Sequence, residues 1–311
     1  MALKQVLETY EVMDSSFVNG KGIAEFLETV GVKDVTVKQV VGAKGVTDFI
    51  RIKISGKQGK TQGGLAPTLG VVGRLGGLGA RPERIGFVSD GDGALAAIAA
   101  AMKLGAMQQN GDFLAGDVIL CTHICPNAPT RPHEPVAFMD SPVAIADMNA
   151  NEIDSEMDVV LSVDTTKGNR IINHNGFAIS PTVKEGYILR VSEDLLELMQ
   201  IVTGKLPAVF AITTQDITPY GNGLFHLNSI LQPSVATDVP VVGVAITTEA
   251  PVSGCATGAT HLMDVESVVR FVIEVGKAFT QGKCSFFDSE EFSLVKKLYG
   301  SMTHLQTAGK S

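Results

Sequence analysis

Four short stretches of this chain gather side chains able to hold an ion, move a proton or engage a carbonyl. The first is Ser89-Asp90-Gly91-Asp92-Gly93, two carboxylates after an apolar run. Paired acids at a strand end hold a divalent cation or activate water; Asp92 is equally a natural helix N-cap and Asp90 a turn former. The second is Cys121-Thr122-His123-Ile124-Cys125-Pro126. Residues two apart on a strand share a face, so Cys121, His123 and Cys125 point together with atoms suited to zinc. Buried thiols and a hydrogen-bonded core histidine would account for the same residues, and no Cys-x-x-Cys pair is present. The third, Ser162-Val163-Asp164-Thr165-Thr166-Lys167-Gly168-Asn169, delivers Asp164 at the end of an apolar strand, followed by hydroxyls and Lys167. A plain polar turn is the alternative. The fourth is a pair of late histidines. His226 follows Tyr220-Gly221-Asn222-Gly223 and His261 follows Gly254-Cys255-Ala256-Thr257-Gly258-Ala259-Thr260. Each lies beyond one of two echoed strands, Ala211-Ile212-Thr213-Thr214-Gln215 and Ala245-Ile246-Thr247-Thr248-Glu249.

What must position these groups is a rhythm of strands and helices. Leu3, Val6, Leu7 and Tyr10, then Ile23, Phe26, Leu27 and Val30, recur at helical spacing. Strands are predicted at Val35–Val41 and Phe49–Ile54, and a long shaped glycine-rich loop from Gly56 to Pro82. Further strands follow at Ile85–Ser89, Asp117–His123, Val159–Val163, Ala208–Thr213 and Val241–Thr247, with a turn between two more from Ile179 to Val191. Helices are predicted at Gly93–Leu104, closed by Gly105, at Glu193–Val202 capped by Ser192 and stopped by Gly204, and at Val265–Phe279 opened by Asp264. Asp288 and Glu291 have capping-box spacing for a last helix. Such alternation implies an α/β protein in three layers, a mostly parallel twisted sheet with helices on both faces. No composition break divides the chain, so residues 1–311 are expected to form one domain. Its parts are N-terminal helices and strands (1–55), the glycine-rich loop (56–84), the main sheet (85–283) and a C-terminal helix and tail (284–311).

In a parallel sheet the ligand crevice lies at the carboxyl ends of the strands. That places Asp92, His123 and Asp164 along one edge, with His123 and Asp164 as catalytic candidates. Asp90, Thr213, Asn222, His226 and Thr257 become candidates for holding a substrate. The glycines match neither a P-loop nor a dinucleotide fingerprint, so no nucleotide cofactor is expected. A formal net charge of -8, no tryptophan and 6% aromatic residues argue against nucleic acid. No uncharged apolar run approaches the ~20 residues of a membrane span. Early acids at Glu8 and Glu11 do not fit a secretory signal. Four cysteines in 311 residues suit reduced thiols, and a cytoplasmic location is expected. The apolar residues of Gly56–Pro82 suggest a patch covered by a second copy, hence a homo-oligomer.

At Gly73-Arg74-Leu75-Gly76-Gly77-Leu78-Gly79-Ala80-Arg81-Pro82, Asp90-Gly91-Asp92-Gly93-Ala94, Thr122-His123-Ile124-Cys125-Pro126 and Gln215-Asp216-Ile217-Thr218-Pro219-Tyr220-Gly221-Asn222, the chain resembles the prokaryotic family catalogued as domain of unknown function 1177. More distantly, the order of its features is similar to that of the co-catalytic zinc aminopeptidases and related deacylases. That resemblance implies a zinc-aminopeptidase-like fold, with Asp92 in the place of a bridging ligand, Asp164 in that of a ligand aspartate and His261 in that of a late ligand histidine. The His-x-Asp before the bridging aspartate is missing, and His123 and Cys125 stand where the family has a Glu pair, so its two-zinc site is not reproduced. The expectation is a hydrolase of an amide or peptide-like small molecule. It would use one divalent metal, zinc or another, held among Asp92, His123, Asp164 and His261. A metal-free, inactive binding or scaffold protein of the same fold is the alternative.

Overall fold

The computed structural model describes the chain except for residues 75, 77, 79–85, 135–136, 213–226, 252–258 and 307–311. Helices α1 (Leu3–Met13) and α2 (Gly20–Glu28) precede a hairpin of β1 (Val35–Gly42) and β2 (Gly45–Ile54). There follow β3 (Leu69–Gly73), α3 (Asp92–Gln109), β4 (Val118–Ile124), the small hairpin β5 (Thr130–Arg131) and β6 (Phe138–Met139), α4 (Ile145–Glu152) and β7 (Val159–Thr165). Then come β8 (Gly176–Ile179), β9 (Val183–Lys184), β10 (Tyr187–Ile188), α5 (Glu193–Thr203), β11 (Val241–Thr247), α6 (Leu262–Thr280) and α7 (Ser289–Tyr299).

The main sheet runs β1-β2-β4-β3-β7-β11-β9-β10, with β8 also paired to β11. Its centre, β4-β3-β7-β11, is parallel, and the strands outside it pair antiparallel. The central strands are buried along their length, as strands covered on both faces must be. On one face α3 and α6 pack against the sheet with α1 and α5 outside them, and the main apolar core lies between. On the other, α4 and a 3-10 helix at Ser229–Val235 form a thinner cover. Among the described residues no helix is long and apolar enough to cross a membrane.

Several sequence expectations hold to within a residue or two: the N-terminal helices, β1, β4, β11, and α5, whose Ser192 hydroxyl accepts from Leu195 N at 3.2 Å. Asp288 accepts from the amides of Glu290 and Glu291, both at 3.0 Å. Three differ. The Gly56–Pro82 stretch is not all loop, because Leu69, Val71 and Val72 are wholly buried in β3, next to the sheet's middle. The apolar patch that suggested a second copy is therefore largely hidden inside one subunit. No strand covers residues 86–89, where a 3-10 turn, Ser89–Gly91, feeds α3. Gly105 does not end α3, which continues to Gln109 while Val32 packs where a Gly105 side chain would stand.

A candidate site at the ends of the parallel strands

Asp92 is the first residue of α3, fully buried over the carboxyl ends of β3 and β7. It is there because Gly93 beside it has no Cβ: one would run into the backbone oxygens of Arg74 and Val163. Its side chain does not cap the helix, as the sequence suggested, but turns toward other elements. Oδ1 accepts from the Thr260 hydroxyl at 2.7 Å, while Thr165 Oγ1 and Lys167 Nζ both donate to Oδ2 at 3.3 Å. Lys167 also donates to Ala259 O at 3.2 Å and is itself largely buried. Burial pushes the Asp92 carboxyl above its ordinary range, against the pull of Lys167 and the two hydroxyls. The result is a dry carboxylate paired with an ammonium, able to exchange a proton or to steady a developing negative charge.

Two further carboxylates lie nearby. Asp90 is buried in the 3-10 turn before α3, which packs against β7. Asp164 is also buried, with Oδ1 accepting from Thr165 N at 2.7 Å. Successive strand residues face opposite ways, so Asp164 points away from the α3 face that Thr165 presents to Asp92. Sequence reasoning noted Thr165 and Lys167 only as part of the stretch that follows Asp164, and connected neither them nor Thr260 with Asp92. The signal for Lys167 was its place three residues beyond a strand-end aspartate; for Thr260 there was none, since its partner is 168 residues away.

His123 does something else. Gly76 N donates to its Nε2 at 3.0 Å, so the neutral ring carries its proton on Nδ1, 2.7 Å from Thr47 Oγ1. The Thr47 hydroxyl passes the chain on to Ile124 O at 3.2 Å. Burial, reinforced by the Arg74 charge, lowers the His123 pKa to about 3. Both nitrogens are spent on holding the backbone, which removes His123 as a metal ligand or base in this arrangement. It also lies on β4, with β3 between it and β7, a separation of about 10 Å between strands. Cys121 and Cys125 are buried in separate apolar clusters, and burial raises both thiols, Cys125 to about 11. Such thiols are packing residues. His261 is the exposed N-cap residue of α6, its Nδ1 3.4 Å from Asp264 Oδ2. Thr213, Asn222, His226 and Thr257 lie outside the described residues, as does Cys255.

Asp92, His123, Asp164 and His261 thus do not converge on one point. Among the described residues no three His, Cys, Asp or Glu side chains form a group that could hold a metal ion. The oxygens of Asp92 already accept from two hydroxyls and an ammonium. This donor set does not fit a divalent metal.

Fold and site together define an α/β protein of mixed sheet with a carboxylate–lysine centre at the ends of its parallel strands. The chain belongs to the family described as "Protein of unknown function (DUF1177)", whose model matches residues 38–309. Among solved structures it is similar to the bottromycin maturation enzyme BotP, with a TM-score of 0.54 and 13% identity over 89% of this chain and 70% of that one. BotP in complex with Mn is similar at a TM-score of 0.51 and 13% identity, over 89% and 71% of the two chains. At that identity the likeness is one of fold. No curated protein matches the chain.

Proposed function

We propose that this protein is a hydrolase of small amide or peptide-like molecules, working where Asp92 meets Lys167. The observation that carries the reading is that pair: a carboxylate with no solvent exposure, bonded to a nearly buried ammonium, at the edge where parallel sheets present their ligands. Its fold likeness to an enzyme, the bottromycin maturation enzyme BotP, is in keeping with a catalytic role. In the reaction, Lys167 Nζ donates to the amide carbonyl oxygen and takes up the charge that develops there. Asp92 accepts a proton from the attacking water and returns it to the departing amine, a role its raised pKa favours. Thr165 and Thr260 hold the carboxylate in place throughout. No step is assigned to a metal, since the described donor set does not fit one.

The test is a panel of aminoacyl amides, dipeptides and N-acyl amino acids, run with chelator and with added Mn²⁺. Turnover that survives chelation and falls by about 10²–10⁴-fold in both Asp92→Asn and Lys167→Met supports the reading. Turnover that vanishes with chelator would overturn the metal-independent route. Binding without turnover across the panel would leave a binding protein, a reading favoured by the saturated bonding of Asp92 and His123.

A further inference from the structure

Beneath the sheet, on the face away from α3, lies a second group of buried polar side chains that the proposed reaction does not use. Arg74, the residue after β3, is 1% exposed and Glu152, the last residue of α4, is 0% exposed. Arg74 Nη2 lies 2.9 Å from Glu152 Oε2 and also donates to Asn149 Oδ1, while Nη1 donates to Gln232 Oε1 at 2.7 Å. One guanidinium therefore ties the sheet to α4 and to the 3-10 helix at Ser229–Val235. The bonding is incomplete: among the described residues Arg74 Nε, Asn149 Nδ2 and Glu152 Oε1 lack a hydrogen-bond partner, while Glu152 Oε2 faces only Arg74 Nη2.

A buried ion pair with unsatisfied atoms is a poor way to stabilise a core; well-packed apolar residues of similar volume usually do as well or better. What such a pair provides is direction, because charge and fork geometry admit few arrangements. The backbone of Arg74 shows what is being directed. Its amide donates to Val163 O at 2.7 Å, one residue before Asp164, and its carbonyl presses on Gly93, one residue after Asp92. The backbone of this one residue thus touches β7 and the first turn of α3, while its side chain is anchored on the opposite face. Two residues on, Gly76 N is held by His123, leaving no room for a Cβ there.

We infer that Arg74, anchored by Glu152, Asn149 and Gln232, is a positioning residue that sets the first turn of α3 and with it the contact between Asp92 and Lys167. This rests on reading that contact as the working centre. Its test therefore reads the contact directly and not turnover, so failure of the hydrolase reading leaves the result interpretable.

The measurement is the rate at which a small amine-directed reagent, formaldehyde with cyanoborohydride, methylates each lysine of the full-length protein, followed by peptide mass mapping. Lys167 is 10% exposed, so the wild type should react slowly there; Lys184, 15% exposed on β9, serves as a control for general loosening. Arg74→Met alone strands the Glu152 charge and endangers folding. The decisive variant is therefore the double change Arg74→Met with Glu152→Met, which removes both buried charges and leaves only the neutral amide oxygens of Asn149 and Gln232 without their donor, a smaller loss than a stranded carboxylate. In it, Lys167 should react about tenfold faster while Lys184 keeps its wild-type rate, the size expected for residues coupled through one network. Arg74→Lys in otherwise wild-type protein should keep only part of the protection, because an ammonium cannot reproduce the fork. A wild-type rate at Lys167 in the stable double variant, or equal acceleration at Lys184, would overturn the assignment and leave the cluster a structural one.

Discussion

At the scale of the residue, burial decides which titratable groups act and which only pack. His123 and Glu152 are both inside, and burial moves each toward its uncharged form: the histidine down from 6.5 to about 3, the glutamate up from 4.5 to about 7. Arg74 acts on both in the same direction, repelling the imidazolium and attracting the carboxylate, but is outweighed by burial at Glu152. The consequences for stability have opposite signs. Unfolded protein binds the extra proton at His123 between pH 3 and 6.5, so that contribution rises with pH. Folded protein holds the extra proton at Glu152 between pH 4.5 and 7, so that contribution is complete below 4.5 and is lost as pH rises to 7, by about 3 kcal/mol in all. Between pH 4.5 and 6.5 the two slopes cancel in the wild type. Glu152→Gln removes one of them, and denaturation curves of the variant should then gain about 1.4 kcal/mol per pH unit on the wild type across that window. Asp92 and the exposed carboxylates are common to both proteins and drop out of the difference. Parallel curves for the two proteins would show that Glu152 does not titrate there.

At the scale of the element, Gly93 shows how tightly α3 is set on the strand ends. Helix propensity alone favours alanine over glycine by about 1 kcal/mol. Here a Cβ meets two backbone oxygens that cannot rotate away, and overpacking of that kind costs about 1–3 kcal/mol or more. Gly93→Ala should therefore destabilise by roughly 2 kcal/mol, against about 1 kcal/mol for Ser192→Ala, which merely removes the α5 cap. A stabilised Gly93→Ala would refute the close approach. The contrast marks what could be read from sequence. Caps such as Ser192 and Asp288 announce themselves locally, and so do the seven-residue, largely apolar runs of β4 and β11. β3 did not, because five residues of Leu-Gly-Val-Val-Gly inside a glycine-rich stretch carry no alternation when both faces are buried. Asp92 and Asp164 were found as strand-end acids. The pairing of Asp92 with Lys167 and Thr260 was not, since the three meet only through the arrangement of α3, β7 and the approach to α6. His123 was found for its chemistry and proves to be a backbone clamp, a distinction that needs the positions of Thr47 and Gly76.

At the scale of the whole molecule, the question is whether the chain folds as one unit. The main core draws on Val6 of α1, Ile52 of β2, Leu95 and Ile98 of α3, Leu161 of β7, Val244 of β11, Val268 and Phe271 of α6, and Cys284 and Phe286 beyond it. Polar links cross the same span: Ala2 N donates to the buried Glu266 carboxylate at 2.8 Å, and Thr182 Oγ1 to Phe286 O at 2.6 Å. The sheet is closed in the same way. β3, from the first third of the chain, separates β4 from β7, and β11, from the last third, continues it. Any cut into an N-terminal and a C-terminal half would open a parallel strand pair and expose a row of unpaired backbone groups with apolar residues on both sides. Neither half could then keep its core. We therefore expect brief proteolysis to nick surface turns such as the exposed Lys60–Gly64 region while the pieces stay together, eluting on a sizing column as the intact protein does. Unfolding by denaturant should follow a single transition by both circular dichroism and tyrosine fluorescence. Two separable fragments, each with its own cooperative transition, would mean that the strand order links two units and that the Asp92–Lys167 centre lies at a junction between them.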